Sequence, residues 1–173
     1  MEANVSLIIT AIIFVLLIII LPIYNVFTRQ DDMSYNLILK ATANFADKVR
    51  TTGVLDYDTY QDYLIEIDTT QNTFNVEMEV HKSYLVAQSD GTYKEEFIIM
   101  YTDEILEKIT PPQNTDKVNN EIILEKGEKF FVRVNNTNIT KADSFLASVN
   151  FMETTSKIDI DYGGLVLVNT IKK

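Results

Sequence analysis

Apolar and polar positions along this chain follow two regimes. The first is an unbroken apolar run, Leu7 to Phe27, reading LIITAIIFVLLIIILPIYNVF with no charged residue. At the helical rise it spans about 31 Å, which matches a bilayer hydrocarbon core of about 30 Å. A soluble chain of 173 residues has too little material to wrap such a rod. A cleaved signal peptide is disfavoured as well: no Lys or Arg precedes the run, it exceeds the usual about 7–15 apolar residues, and no small-x-small site follows. The run therefore predicts a permanent transmembrane anchor.

Helical periodicity continues beyond the anchor. In DDMSYNLILKATANFADKVRTTG the apolar residues Ile38, Ala41, Phe45 and Val49 recur every three or four positions, and Gly53 is a natural stop. No Gly or Pro lies between this stretch and the anchor. One helix is expected from about Ala3 to about Thr52, amphipathic in its second half, with Ile38, Phe45 and Val49 laid on a sheet.

From Val54 the second regime begins. Asp56 suits the cap of a helix through Ile67, with Tyr57, Tyr60, Leu64 and Ile67 on one side, and Asp68 to Asn72 is a turn signal. Thr73 to Lys82 alternates strictly: Phe74, Val76, Met78 and Val80 point one way, Asn75, Glu77, Glu79 and His81 the other. Ser83 to Gln88 and Tyr93 to Tyr101 are read as two more strands around an Asp90-Gly91 hairpin. Thr102 suits the cap of a short helix through Ile109, followed by a surface loop from Thr110 to Lys117. Further strands are expected at Glu121 to Leu124 and Lys129 to Asn135, and a helix at Lys141 to Val149. A final pair, Lys157 to Tyr162 and Leu165 to Ile171, would turn at Gly163-Gly164. The predicted fold class is α+β: a long N-terminal transmembrane helix continuing into an amphipathic helix packed on a mainly antiparallel β-sheet. Its expected parts are the anchor at 1–28, the amphipathic extension at 29–53 and an α+β domain at 54–173.

Charge sharpens this division. The chain carries 15 Lys+Arg against 25 Asp+Glu, a formal net charge of -10, and all of the acidic residues except Glu2 lie beyond the anchor. An acidic head repels phosphate, so nucleic acid and anionic lipid are poor partners and protein contacts are favoured. Basic residues near the anchor are sparse. Arg29 and Lys40 follow it and none precedes it, a bias that taken literally puts the head in the cytoplasm, though Asp31 and Asp32 offset Arg29.

Catalytic chemistry is thinly represented. There are no cysteines and a single histidine. That histidine, His81, sits beside Glu79 on the polar face of its strand, where a solvated surface role is expected. No nucleotide-binding glycine motif or nucleophile elbow is present. Two acidic groups have oxygens suited to a hard cation: Asp56, Asp58 and Asp62, and Asp159 with Asp161. Helix capping explains Asp56, however, strand-edge solvation explains Asp159 and Asp161, and Thr170 stands where a calcium loop closes with glutamate. Glycosylation triplets occur at Asn135 and Asn138. No enzyme activity, cofactor or metal is expected.

The anchor with Leu21-Pro22-Ile23-Tyr24, running unbroken into an amphipathic half that meets an antiparallel sheet, resembles type IV pilins and the pseudopilins of secretion and Tad-type systems. The likeness covers about Glu2 to Gly53. It implies a helix that packs with neighbouring subunits, with Pro22 followed by the aromatic Tyr24 as in that family. Its members carry glutamate at the fifth mature position, where this chain has Val5. Glu2 is the nearby acidic residue, and the resemblance implies that it pairs with a neighbour's amino terminus. The stretch Phe45-Ala-Asp-Lys-Val-Arg-Thr-Thr-Gly53, with Tyr60 and Asp161-Tyr-Gly-Gly164, is also similar to small single-anchor proteins of Firmicutes near pilus-like or conjugation-type machinery. The pilin likeness implies that the α+β domain at 54–173 is extracytoplasmic, and the implied partners are the lipid bilayer and other pilin-like subunits or envelope proteins. A tethered module that binds or senses a peptide or glycan is the alternative.

Overall fold

The computed structural model describes residues 2–89, 91–112, 120–149 and 158–167, with side chains from residue 5 onward. Its elements are α1 (Glu2–Thr52), β1 (Val54–Asp56), α2 (Tyr57–Asp68), β2 (Phe74–Ala87), β3 (Tyr93–Tyr101), α3 (Thr102–Ile109), β4 (Glu121–Ile123), β5 (Lys129–Asn136), α4 (Lys141–Ser148) and β6 (Asp159–Leu165). The fold is α+β with a long N-terminal helix. Two compact units divide it: α1 up to Asn36 together with α4, and the chain from Leu37 onward without α4.

The second unit holds the hydrophobic core. Antiparallel strands in the order β3-β2-β5-β6 form its main sheet, and β1 pairs with β4 in a small second one. The amphipathic part of α1 supplies Ile38, Ala41, Phe45 and Val49, all buried as their spacing predicts, together with Ala46. They meet Met78 and Val80 of β2, Phe130, Val132 and Val134 of β5, and Ile160 of β6. Phe45 is the hub: it stacks on Tyr63 of α2 at 4.6 Å between centroids and meets Phe130 edge-on at 5.6 Å. Burial of these rings and branched aliphatics is the main stabilising term of the head.

The ends of α1 and α2 follow the sequence signals. Gly53 takes a positive φ of 69° and donates its N–H to the carbonyl of Val49 at 2.8 Å, closing α1. Asp56 caps α2, its carboxylate accepting from the Thr59 N–H at 2.7 Å. The buried side of α2 is Tyr60, Tyr63 and Ile67 with Thr59, while Tyr57 and Leu64 are only partly covered.

Three expectations need correction. The strands expected at Thr73 to Lys82 and Ser83 to Gln88 are one 14-residue strand, β2: no Gly or Pro separates Lys82 from Ser83, and both stay paired with β3 even though the apolar alternation lapses at His81-Lys82-Ser83. Its register with β3 runs from Glu79 opposite Tyr101 to Ala87 opposite Tyr93. Thr102 does not cap α3 with its side chain. Tyr101 occupies the cap position, and the Thr102 hydroxyl instead accepts the Met78 N–H of β2 at 2.7 Å. Gly163-Gly164 is not a turn. Both residues lie inside β6, opposite Phe131 and Phe130 of β5.

The reason for glycine at 163 is close approach. A Cβ there would stand 2.2 Å from the Phe130 carbonyl oxygen and 2.6 Å from the Phe131 Cα, so only a residue without one lets β6 lie at ladder distance. Gly164 leaves room for the Arg50 guanidinium, which donates from Nε to the Leu165 carbonyl at 3.0 Å. Arg50 also pairs with Asp47 at 2.7 Å, and Tyr162 donates to Asp47 at 3.2 Å. These bonds fasten the last turns of α1 to β6. Most of the strand expected from Leu165 to Ile171 lies outside the described residues, as do Asp90 of the hairpin turn, Lys157 and most of the surface loop before β4.

Candidate interaction surfaces

In the first unit the apolar stretch of α1 is long and apolar enough to cross a membrane, and none of it is buried. Leu7, Phe14 and Val26 are 72%, 64% and 62% exposed. A water-soluble helix with such a surface would aggregate, whereas lipid accepts it. Two of its hydroxyls are satisfied within the helix, as lipid requires: Thr10 donates to the Ser6 carbonyl at 2.9 Å and Thr28 to that of Tyr24 at 3.1 Å. The rod is thus compatible with a single-pass anchor.

The residues singled out for assembly all lie on this helix. Glu2 is its first residue and Pro22 lies in its interior. Tyr24 is half-buried. Proline lacks an N–H, so the i−4 carbonyl at Ile18 has no partner from residue 22 and the helix is locally weakened there. Glu2 and Tyr24 are separated by about six turns, so the three residues form no single site.

Helix α4 docks on the end of this apolar stretch, an arrangement not foreseen from sequence. Asp31, on α1, accepts the Lys141 N–H at 3.2 Å and the Ala142 N–H at 2.9 Å, one on each carboxylate oxygen. Thr140 caps the same end through the Asp143 N–H. One turn away, Phe27 and Phe145 meet with centroids 5.4 Å apart. An acidic side chain at a helix N-terminus is favoured by the unpaired amides and the helix dipole. The available signal was Asp31 itself, which reads in sequence as an ordinary flanking charge.

In the second unit the face of the sheet turned away from the core carries a further surface. Leu85 of β2 and Tyr93, Phe97, Ile99 and Tyr101 of β3 project to this same face, because their register pairs join odd-numbered positions. Leu85, Tyr93 and Tyr101 are 69%, 71% and 59% exposed. Strand β3 is the sheet edge. Among the described residues, β2 beyond His81 keeps β3 as its only strand partner, because its pairing with β5 stops there. The hairpin therefore extends past the four-stranded sheet as a two-stranded ribbon with an apolar face.

The candidates for chemistry are spread apart. His81 is half-buried rather than freely solvated: its ring lies 5.4 Å from that of Phe131, and its Nε2 is 3.2 Å from Glu79. Its side chain packs there because Phe131 projects to the same face of the neighbouring strand. The Asp56 carboxylate is occupied as a helix cap, and Asp159 is held by both Nε and Nη2 of Arg133, at 3.0 and 2.9 Å. Among the described residues no three of His, Asp and Glu converge as metal ligands. Two buried polar groups are structural. The Glu128 carboxylate accepts the N–H groups of Ser83 and Glu125, at 3.2 and 2.8 Å. The Tyr63 hydroxyl shares a 3.0 Å hydrogen bond with Thr42, and burial pushes its pKa up to about 12. No protein-family model matches the chain, and neither a curated protein nor a solved structure is found to be similar to it.

Proposed function

We propose that the protein is a non-enzymatic, membrane-anchored structural subunit or accessory protein of a pilin-like assembly, in a surface filament, secretion or conjugation-type system. One observation carries this: none of the apolar part of α1 is buried, while the amphipathic part of the same helix is built into the core of an α+β head. Such a helix holds the head to the bilayer and offers its lipid-facing side to neighbouring helices. The head lies outside the cytoplasm in this proposal, and its acidic surface and the apolar face of β3 make contacts with neighbouring proteins. Pro22 supplies a weak point at which the helix bends or melts as a subunit leaves lipid for an assembly.

Protease treatment of intact cells followed by in-cell cross-linking tests the proposal. The head should be cut, and cross-linked ladders of the chain with itself or with one envelope partner should form. Pro22→Ala should leave membrane insertion unchanged and lower incorporation into the cross-linked species several-fold. A head cut only after cell lysis would refute the extracytoplasmic assembly. A second proposal, a tethered module for a peptide, draws support from the open edge of β3, to which an extended segment can add as a strand. In that case one foreign partner, and no self-ladder, is cross-linked.

A further inference from the structure

We infer that α4 is a second membrane-contacting element, seated in the boundary layer between headgroups and acyl chains beside the anchor. The inference rests on the anchor proposed above and adds a second lipid-facing element to it. Two contacts fix the level of α4 along α1. Its N-terminus is held by Asp31. Four residues further along α4, Phe145 meets Phe27, four residues back along α1. The two helices therefore run antiparallel, and α4 descends toward the apolar end of α1.

This pairing aligns the polarity of the two helices. On α1 the last charged residue before the apolar run is Arg29, and on α4 the last is Asp143. Counting from Asp31 beside Lys141 and Phe27 beside Phe145, Arg29 is level with Asp143 and Thr28 with Ser144. Below that level α1 has no charge down to Leu7, and α4 has none from Ser144 to its end at Ser148. Charged groups avoid hydrocarbon, so one plane through both helices separates water from lipid. The N-terminal amides of α4 are satisfied by Asp31 and Thr140, which leaves its uncharged lower half free to enter the boundary layer. Ala147 is exposed there, level with Asn25.

The chain has no cysteine, so single-cysteine variants report depth cleanly. Leu16→Cys, Asn25→Cys, Met33→Cys and Ala147→Cys, each carrying an environment-sensitive fluorophore, are placed in phosphatidylcholine vesicles containing nitroxide lipids labelled at shallow or deep positions. All four positions are exposed. The expected result is quenching at residue 16 by the deep nitroxide, equal quenching at 25 and 147 by the shallow one, and weak quenching at 33. Adding Asp31→Ala should lower quenching at 147 and leave residue 16 unchanged; equal quenching with and without it overturns the holding role of Asp31. If 16 and 25 behave as expected while 147 is quenched no more than 33, the inference falls and the anchor stands. A residue 16 that no lipid quencher reaches overturns the anchor itself, and this inference with it. If residue 147 is shielded from lipid, and unlabelled Ala147→Cys treated with an added thiol oxidant forms a disulfide with a second copy, this face is an interface between copies and the lipid assignment is overturned.

Discussion

Gly163→Ala separates the strand seen in the structure from the turn that Gly163-Gly164 suggests in the sequence. In β6 the added methyl would stand 2.2 Å from the Phe130 carbonyl oxygen and 2.6 Å from the Phe131 Cα. Both obstacles are backbone atoms of β5, so no side-chain rotation relieves the clash and the two strands must move apart by about an ångström. Overpacking costs about 1–3 kcal/mol, and a backbone obstacle places this substitution at the upper end, about 3 kcal/mol. Gly91→Ala is the control: its φ is +81° and nothing lies within 4 Å of the new methyl. The left-handed backbone alone then costs about 1 kcal/mol. For a chain of this size, about 1 kcal/mol lowers Tm by about 2–4 °C, which gives about 6–12 °C for Gly163→Ala and about 2–4 °C for Gly91→Ala. Melting of the detergent-solubilised full chain is followed by near-ultraviolet circular dichroism of its nine tyrosines. All but Tyr24 and Tyr35 lie in the head and report its packing, whereas the far-ultraviolet signal includes the detergent-bound part of α1. A Gly163→Ala melt no lower than that of Gly91→Ala would show that residue 163 does not lie against β5.

Two further outcomes test the core. Tyr63 has its pKa raised from 10.0 to about 12 by burial, partly opposed by the Thr42 hydrogen bond. A pKa raised in the folded state gives stability that is complete below the unfolded value and is lost as pH rises through the folded one. Alkaline unfolding should therefore steepen between about pH 10 and about pH 12. Tyr63→Phe should flatten that slope while costing about 1–2 kcal/mol at neutral pH, because the Thr42 hydroxyl is left buried. Ultraviolet titration in which every tyrosine ionises together at the ordinary value would contradict the buried placement. Phe45→Ala should cost about 3–5 kcal/mol in urea unfolding, a large share of the stability of an ordinary domain. A loss below about 1 kcal/mol would remove Phe45 from the centre of the core.

Much of the fold was legible because it rests on local rules. Gly53 ends α1 and Asp56 begins α2 through hydrogen bonds to residues three or four positions away, which any window of sequence contains. The alternation of Phe74, Val76, Met78 and Val80, and the spacing of Ile38, Phe45 and Val49, encode which face turns inward before any partner is known. Thr102 shows the limit of local reasoning. Its position suits a cap, yet its hydroxyl is taken by the Met78 N–H of β2, 24 residues earlier in the chain. Of the interaction surfaces, the apolar rod was readable from composition alone. The outward apolar face of the β2–β3 hairpin was not, since it appears only when the register sets Leu85 and Phe97 on one side.

The sequence by itself determined that this chain has a helix fit for lipid and an acidic α+β head, because length, periodicity and charge are sums over neighbouring residues. Tertiary structure alone decided that Gly163 is a strand residue under β5, that Arg50 fastens α1 to β6, and that Asp31 receives α4. In each case the partner lies about 30 to 115 positions away along the chain. The physical reason is the same throughout: a close approach or a capped helix end needs two distant segments at a fixed distance, and packing of the chain, not local preference, sets that distance.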